Sequence, residues 1–233
     1  MLIGGLEKLS LGDFTGKTSC RVFLVGCNFR CPWCYVPQFV EVPKDFKPIA
    51  EKAFFHFLKT NRPFLDGCII DGGEPCLHQD LPQFCQRIKG LGYSIRLDTN
   101  GSQPPMLHYL IINKLIDSVS MDVKAPKDKY SKVVGLEGFS FNYILKNIEA
   151  SIRLLFKSGI DYEFRTTLTP LLTKEDILKI ARWLKSAKRY CLKQFDSSNL
   201  LDPRFQHLEP YPKDYIYKIK EAVSPFFNQC VVK

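Results

Sequence analysis

The sequence predicts an α/β fold in which a parallel sheet curls into a partial, open TIM-like barrel of about six βα units. Three observations carry that prediction. Short apolar runs alternate with segments of helical spacing along the chain, which is the pattern of strand, crossover and parallel strand. Right-handed crossovers curl such a sheet in one sense. The distinctive polar residues then fall where the strands end, at the edge where this architecture builds its sites. With 233 residues, 45% hydrophobic and 24% charged, the chain suffices for one such domain over 1–233. Neither an internal repeat nor a linker interrupts it.

Residues 10 to 19 are small and polar, a loop leading into a first strand, Cys20 to Gly26. Gly16-Lys17-Thr18 is no phosphate loop, because it lacks the upstream glycine and precedes a strand instead of following one. Pro37 through Pro48 is broken by prolines, and Ile49 to Thr60 has helical spacing. Gly67 to Asp71 is a second strand, followed directly by Gly72-Gly73-Glu74-Pro75. Asp80, with Gln83 three residues on, caps a helix whose stripe is Leu81, Phe84, Ile88 and Leu91. Tyr93 to Leu97 is the third strand, Met106 to Asn113 a helix, and Ser118 to Val123 the fourth strand. Residues 127 to 142, with Gly135 and Gly138, form an excursion. Tyr143 to Lys157 is the most periodic helix, with Ile144, Ile148, Ile152 and Leu155 on one face. Tyr162 to Leu168 is the fifth strand, Thr173 with Asp176 opens the next helix, and Tyr190 to Phe195 is the sixth strand. A proline-rich loop and a helix near Lys213 to Val223 fill the C-terminal segment 196–233.

The chemistry begins at the loop 27–34, Cys27-Asn28-Phe29-Arg30-Cys31-Pro32-Trp33-Cys34, where three thiols within eight residues can converge on one metal centre. A structural zinc site wants four ligands, usually as two half-sites, and no CxxC or HxxxH partner follows. Three thiolates suit a 4Fe–4S cluster with one iron open to an outside ligand. Zinc and plain buried thiols remain alternatives at this point. At later strand ends stand Glu74, Asp98 to Asn100, Asp122 with Lys124, Arg165 and Gln194. Each has a plainer reading as a turn, a cap or a solvated charge. Their recurrence at one edge favours a site.

CxxxCxxC with aromatic Trp33 before its last cysteine, together with Gly72-Gly73-Glu74-Pro75, resembles the signatures of the radical S-adenosylmethionine (radical SAM) enzymes. More narrowly, the chain resembles the glycyl-radical-enzyme activases, and among them the anaerobic ribonucleotide reductase-activating proteins. The matching residues are Asp13-Phe14-Thr15-Gly16-Lys17, Phe23 to Cys34, Asp98-Thr99-Asn100-Gly101 and Met121-Asp122-Val123-Lys124-Ala125-Pro126. The resemblance implies that Cys27, Cys31 and Cys34 hold the cluster and that SAM binds its open iron. It implies that Gly72, Gly73 and Glu74 contact the methionine amino group, and that Lys124 meets the carboxylate. Asp98, Thr99, the Met121 carbonyl and Asp122 would hold Na+ or K+. Trp33, Asn100, Arg165 and Gln194 complete the expected cofactor shell. The chain departs from the activase pattern at Tyr35, where many have His, and at Gln194-Phe195, where some have a His near the adenine.

The implied activity is reductive cleavage of SAM and formation of a glycyl radical on a partner, anaerobic ribonucleotide reductase, with no side chain acting as acid or base. An external one-electron reductant such as flavodoxin or ferredoxin would supply the electron. A deazaguanine-forming radical enzyme acting on a small molecule is the alternative, and a non-catalytic zinc module a third class. Nine cysteines without a secretory leader fit a reducing cytoplasm. No apolar run approaches membrane-spanning length. The charge of +9 is dispersed without a basic arm, which disfavours nucleic acid as partner.

Overall fold

A computed structural model describes residues 1–42, 45–136 and 141–233. Gly138 of the excursion and Pro43 of the proline-broken stretch lie outside the described residues. The strands are β1 (Ile3–Ser10), β2 (Ser19–Leu24), β3 (Gly67–Gly72), β4 (Ser94–Thr99), β5 (Ser118–Asp122), β6 (Asp161–Leu168), β7 (Arg189–Gln194) and β8 (Gln229–Val232). The helices are α1 (Glu51–Asn61), α2 (Leu81–Gly90), α3 (Pro104–Ile112), α4 (Tyr130–Val133), α5 (Phe141–Ser158), α6 (Lys174–Trp183) and α7 (Lys213–Val223). Sheet order is the open series β1 to β8. β1 runs antiparallel to β2. β2, β3 and β4 pair in parallel, as do β6, β7 and β8. The six strands expected from the sequence are present, and β1 and β8 flank them. The chain divides into two compact units.

The first unit comprises Met1–Asn28, Gln38–Thr99 and Gln103–Val119. Register places Cys20, Cys68 and Ile95 side by side, then Val22, Ile70 and Leu97. Alternation therefore gives these strands one apolar face, which is fully buried. On the helices, Phe54 stacks on Phe84 with centroids 5.4 Å apart, and Tyr93 donates to the Leu58 carbonyl at 2.8 Å. Each such buried aromatic contributes about 1.5–3 kcal/mol by transfer alone. The opposite strand face carries Arg21, Asp71, Arg96 and Asp98. One expectation fails: Asp80 occupies the N-cap position of α2 but makes no side-chain capping bond. Its carboxylate lies 2.9 Å from the Met1 ammonium, and that charge outcompetes a backbone amide.

The second unit comprises Phe29–Pro37, Asn100–Ser102 and Ser120–Lys233. β6 and β7 register Arg165 beside Cys191 and Thr167 beside Lys193. Alternation gives this pair a polar face with Glu163, Arg165, Cys191 and Lys193, and an opposite face with Phe164, Tyr190 and Leu192. Tyr190 stacks on Phe227 at 4.5 Å and donates to Thr166 Oγ1 at 2.8 Å. The amphipathic α5 buries Ile148, Ile152 and Leu155. α6 opens on the full capping box expected of Thr173 and Asp176. The excursion contains the short helix α4, whose Tyr130 and Val133 are buried.

Candidate cluster and cofactor site

In the first unit the chain leaving β2 is clamped before its first cysteine. Gly26 N–H donates to the Phe39 carbonyl at 2.8 Å, and Cys27 N–H to Val40 at 3.1 Å. The Gly-Gly-Glu end of β3 closes on the same turn, with Gly73 N–H on the Leu24 carbonyl and Glu74 N–H on the Gly26 carbonyl, both at 2.8 Å. The two glycines are there for backbone contact. A Cβ on Gly72 would lie 2.2 Å from the Leu24 oxygen, and one on Gly73 2.1 Å from the Gly26 oxygen. Glu74 is wholly buried. Its Oε1 accepts from Cys76 N–H at 3.0 Å and from Thr99 Oγ1 at 2.7 Å, so the carboxylate is fixed at the strand end.

Asp98, also buried, accepts from Arg96 Nε at 2.7 Å and lies 3.7 Å from Arg21 Nη1. Arg21 is itself paired with Asp71, Asp13 and Glu7, and Arg96 donates to the Asp13 carbonyl. Burial works against the Arg21 charge, but Asp71, Asp98 and Asp13 outweigh it and raise its pKa. Sequence reading missed this network, because pairing between β-strand neighbours and a distant loop leaves no local signal.

In the second unit the loop carrying Cys31 and Cys34 is held on two sides. The Cys34 N–H closes a turn on the Cys31 carbonyl at 3.0 Å. Trp33 is buried and donates through Nε1 to the Val133 carbonyl at 2.9 Å, and Arg30 N–H donates to Val134 at 2.9 Å. Gly135, at φ 67°, packs so tightly that a Cβ would come within 2.1 Å of the Arg30 oxygen. From the C-terminal segment, Leu201 N–H reaches the Cys34 carbonyl at 3.1 Å and Asp202 N–H the Pro32 carbonyl at 2.9 Å. The excursion and the C-terminal loop thus act as braces for the cysteine loop.

At the ends of β5 and β6, Asp122 accepts from Lys124 Nζ at 3.0 Å and from Arg165 Nε at 2.8 Å. Burial disfavours the Asp122 carboxylate, yet Arg165, Lys124 and Lys193 prevail and hold it well below the usual carboxylate range. Lys124 is likewise opposed by burial and raised by Asp122 and Cys31. Its ammonium sits 5.1 Å over the Trp33 ring. Asn100 behaves as a turn residue: its Oδ1 accepts from Ser102 N–H at 2.9 Å. Gln194 closes β7, as the sequence places it. Its exposed side chain donates to the Tyr211 carbonyl at 3.2 Å. Strand alternation puts it on the face opposite Arg165, where Leu168 is its neighbour.

Each unit carries donors of the kind an iron–sulfur cluster and an amino-acid ligand need. The first holds half-buried Cys27 and the fixed carboxylate of Glu74, and the second holds buried Cys31, half-buried Cys34 and the cations Lys124 and Arg165. Of the other thiols, Cys230 is half-buried and the rest are buried: Cys85 is pushed up to about 12 by burial, and Cys191 to about 11 by burial and then Glu163. Among the described residues there is no group of three or more His, Cys, Asp or Glu poised around a single metal ion. In a cube each thiolate instead meets its own iron.

A family model for the radical SAM superfamily matches residues 22–184. The chain belongs to the radical SAM superfamily. It is therefore an enzyme of a family that uses a 4Fe–4S cluster and SAM, which sets aside the zinc module. A Methanocaldococcus jannaschii protein provisionally named a glycyl-radical enzyme activating enzyme is 36% identical over 238 aligned positions, covering 100% of this chain and 95% of its own. The pyruvate formate-lyase-activating enzyme of Clostridium pasteurianum is 28% identical over 194 residues, 80% of this chain and 77% of its own. A 7-carboxy-7-deazaguanine synthase of Aquifex aeolicus is 32% identical over 91 residues, 39% of this chain and 40% of its own. In fold, the chain matches Streptococcus suis SuiB bound to SAM with a TM-score of 0.68 at 13% identity. That match covers 89% of this radical SAM chain and 48% of SuiB, so the chain spans about half of SuiB's length. Among the described residues no helix is long and apolar enough to cross a membrane.

Proposed function

We propose that this radical SAM enzyme is a cytoplasmic activase, a single radical SAM domain that generates a glycyl radical on a partner enzyme, with anaerobic ribonucleotide reductase as target. The observation that carries the reading is the match over the whole chain to a relative provisionally named an activase. The braced cysteine loop and the charged strand ends support it. In this reading Cys27, Cys31 and Cys34 bind the cluster. The cluster and SAM together supply one-electron cleavage of the sulfonium and removal of hydrogen from a glycine Cα, an electron coming from flavodoxin or ferredoxin. The chain supplies position: buried Glu74, fixed by Cys76 N–H and Thr99, takes the cofactor's amino group. Lys124 and Arg165, oriented by Asp122, take up the negative charge of its carboxylate. Trp33 walls the cysteine loop and excludes water.

A monovalent cation at Asp98, Thr99, the Met121 carbonyl and Asp122 belongs to the same proposal, but it would have to share carboxylates that Arg96, Arg165 and Lys124 already hold. The second reading, a deazaguanine-forming enzyme, is supported by matches to 7-carboxy-7-deazaguanine synthases over 39% to 67% of the chain. One experiment separates them. The anaerobically reconstituted, reduced protein is mixed with SAM and each candidate glycyl radical enzyme, and electron paramagnetic resonance is recorded. A glycyl doublet on anaerobic ribonucleotide reductase is expected. No doublet with any candidate, alongside turnover of a small molecule, overturns the activase reading.

A further inference from the structure

A cavity of about 580 Å³ lies in the first unit between the start of α2 and the start of α3. Gln79, Gln83 and Gln103 bring three amides to it, Met106 and Tyr109 add apolar surface, and Cys76 is the buried member of its lining. Through Cys76 the cavity adjoins the strand ends. Cys76 N–H donates to Glu74 Oε1 at 3.0 Å, and Cys76 Sγ lies 3.8 Å from Thr99 Oγ1. The cavity thus begins two residues beyond Glu74, no more than about 7 Å along the chain.

α3 supplies a second observation. It reads Pro-Pro-Met-Leu-His-Tyr-Leu-Ile-Ile, with His108 its one strongly polar residue. Leu107 and Leu110 are buried, whereas Tyr109 and Ile112 remain 50% and 60% exposed. A helix that is apolar all round is ordinarily covered all round. Tyr and Met with little charge are also the composition of an interface core.

Charge decides what covers it. Charged residues make up 24% of the chain, yet no described residue lining the cavity is Asp, Glu, Lys or Arg. Asp80, which flanks the lining in sequence, lies 2.9 Å from the Met1 ammonium, and His78 and His108 flank it without lining it. A charged group seated here would lose hydration without meeting an opposite charge, so an uncharged occupant is selected. Glutamine amides both donate and accept, as peptide groups do, and match an extended backbone.

Resting on the activase reading above, we propose that this cavity binds the glycyl radical enzyme, taking an uncharged extended stretch of its chain close to the target glycine. One apolar side chain of that stretch packs on Met106 and Tyr109 while the glutamine amides hold its backbone. Three or four further residues span about 10–14 Å, enough to carry the glycine from the cavity to the strand end at Glu74.

The test uses the full chain, anaerobically reconstituted and reduced, with SAM and increasing anaerobic ribonucleotide reductase, the glycyl doublet being read by electron paramagnetic resonance. Tyr109→Glu and Tyr109→Lys are both expected to raise the reductase concentration for half-maximal radical about tenfold, because a charge of either sign is unmatched in the cavity. Gln103→Ala is expected to raise it about threefold, without loss of a helix cap, since the Gln103 side chain makes none. Phe64→Glu, exposed in the same unit and outside the cavity, is expected to leave it unchanged. SAM affinity and the thermal melt are recorded for each variant. Wild-type half-saturation in Gln103→Ala or in either Tyr109 variant overturns the inference, as do effects of opposite direction for Tyr109→Glu and Tyr109→Lys. An equal loss in Phe64→Glu, or a matching loss of SAM affinity in the cavity variants, overturns it as well. No doublet from the wild-type protein with any candidate enzyme would instead overturn the activase reading, and this inference with it.

Discussion

A methyl group at position 73 has nowhere to go, since its nearest neighbours are backbone, the Gly26 oxygen at 2.1 Å and the Phe39 oxygen at 2.7 Å. Backbone cannot step aside as a flexible side chain can. Gly73→Ala is therefore expected to cost about 3 kcal/mol or more, read as a lowered midpoint in urea unfolding. Asp122 makes a different prediction, on pH. Its carboxyl is held low in the folded chain by Arg165 and Lys124 against the penalty of burial. A depressed acid contributes stability that is full above its unfolded value near pH 4 and lost as pH falls through the folded value. Asp122→Asn should thus cost about 2 kcal/mol at pH 7. The gap from wild type should narrow below about pH 4, as urea unfolding at pH 7 and pH 3 would show.

At the scale of elements, the helix cap was legible and the strand face was not. Thr173-Lys174-Glu175-Asp176 spells a capping box, and the structure makes both of its bonds. Thr173→Ala should cost about 1 kcal/mol by chemical unfolding. Asp80 and Gln83 spell a similar start, but Asp80 was captured by the Met1 ammonium, a partner that no window around α2 contains. Motif spacing found the cysteine loop and Gly72-Gly73-Glu74, because their chemistry is written in consecutive residues. Arg21 was missed because its carboxylate partners come from other strands and a loop, and Arg96, beside Asp98 on its own strand, because its second partner is the backbone carbonyl of distant Asp13.

At the scale of the molecule, six strand-and-helix units were readable from periodicity, while β1 and β8 were not. β1 begins Ile3-Gly4-Gly5, and glycines weaken a strand signal; here they make room for Phe39, whose ring atoms a Cβ on either would touch within 2.9 Å. β8 has four residues, too few for a period. The cysteine loop draws on that wider architecture, since Leu201 and Asp202 of the C-terminal segment and Val133 and Val134 after β5 supply its backbone partners. A cluster bound by Cys31 and Cys34 would reinforce those braces only in the folded chain, and a ligand that binds only the native state stabilises it by mass action. The reconstituted protein should melt several degrees above the cluster-free protein under anaerobic conditions. Cys31→Ser should abolish that increment while leaving the cluster-free melt nearly where it was, because Trp33 Nε1, Arg30 N–H and Asp202 N–H keep their carbonyl partners without the thiol. Equal melting with and without the cluster would mean that these braces hold the loop unaided and that iron adds chemistry without adding stability.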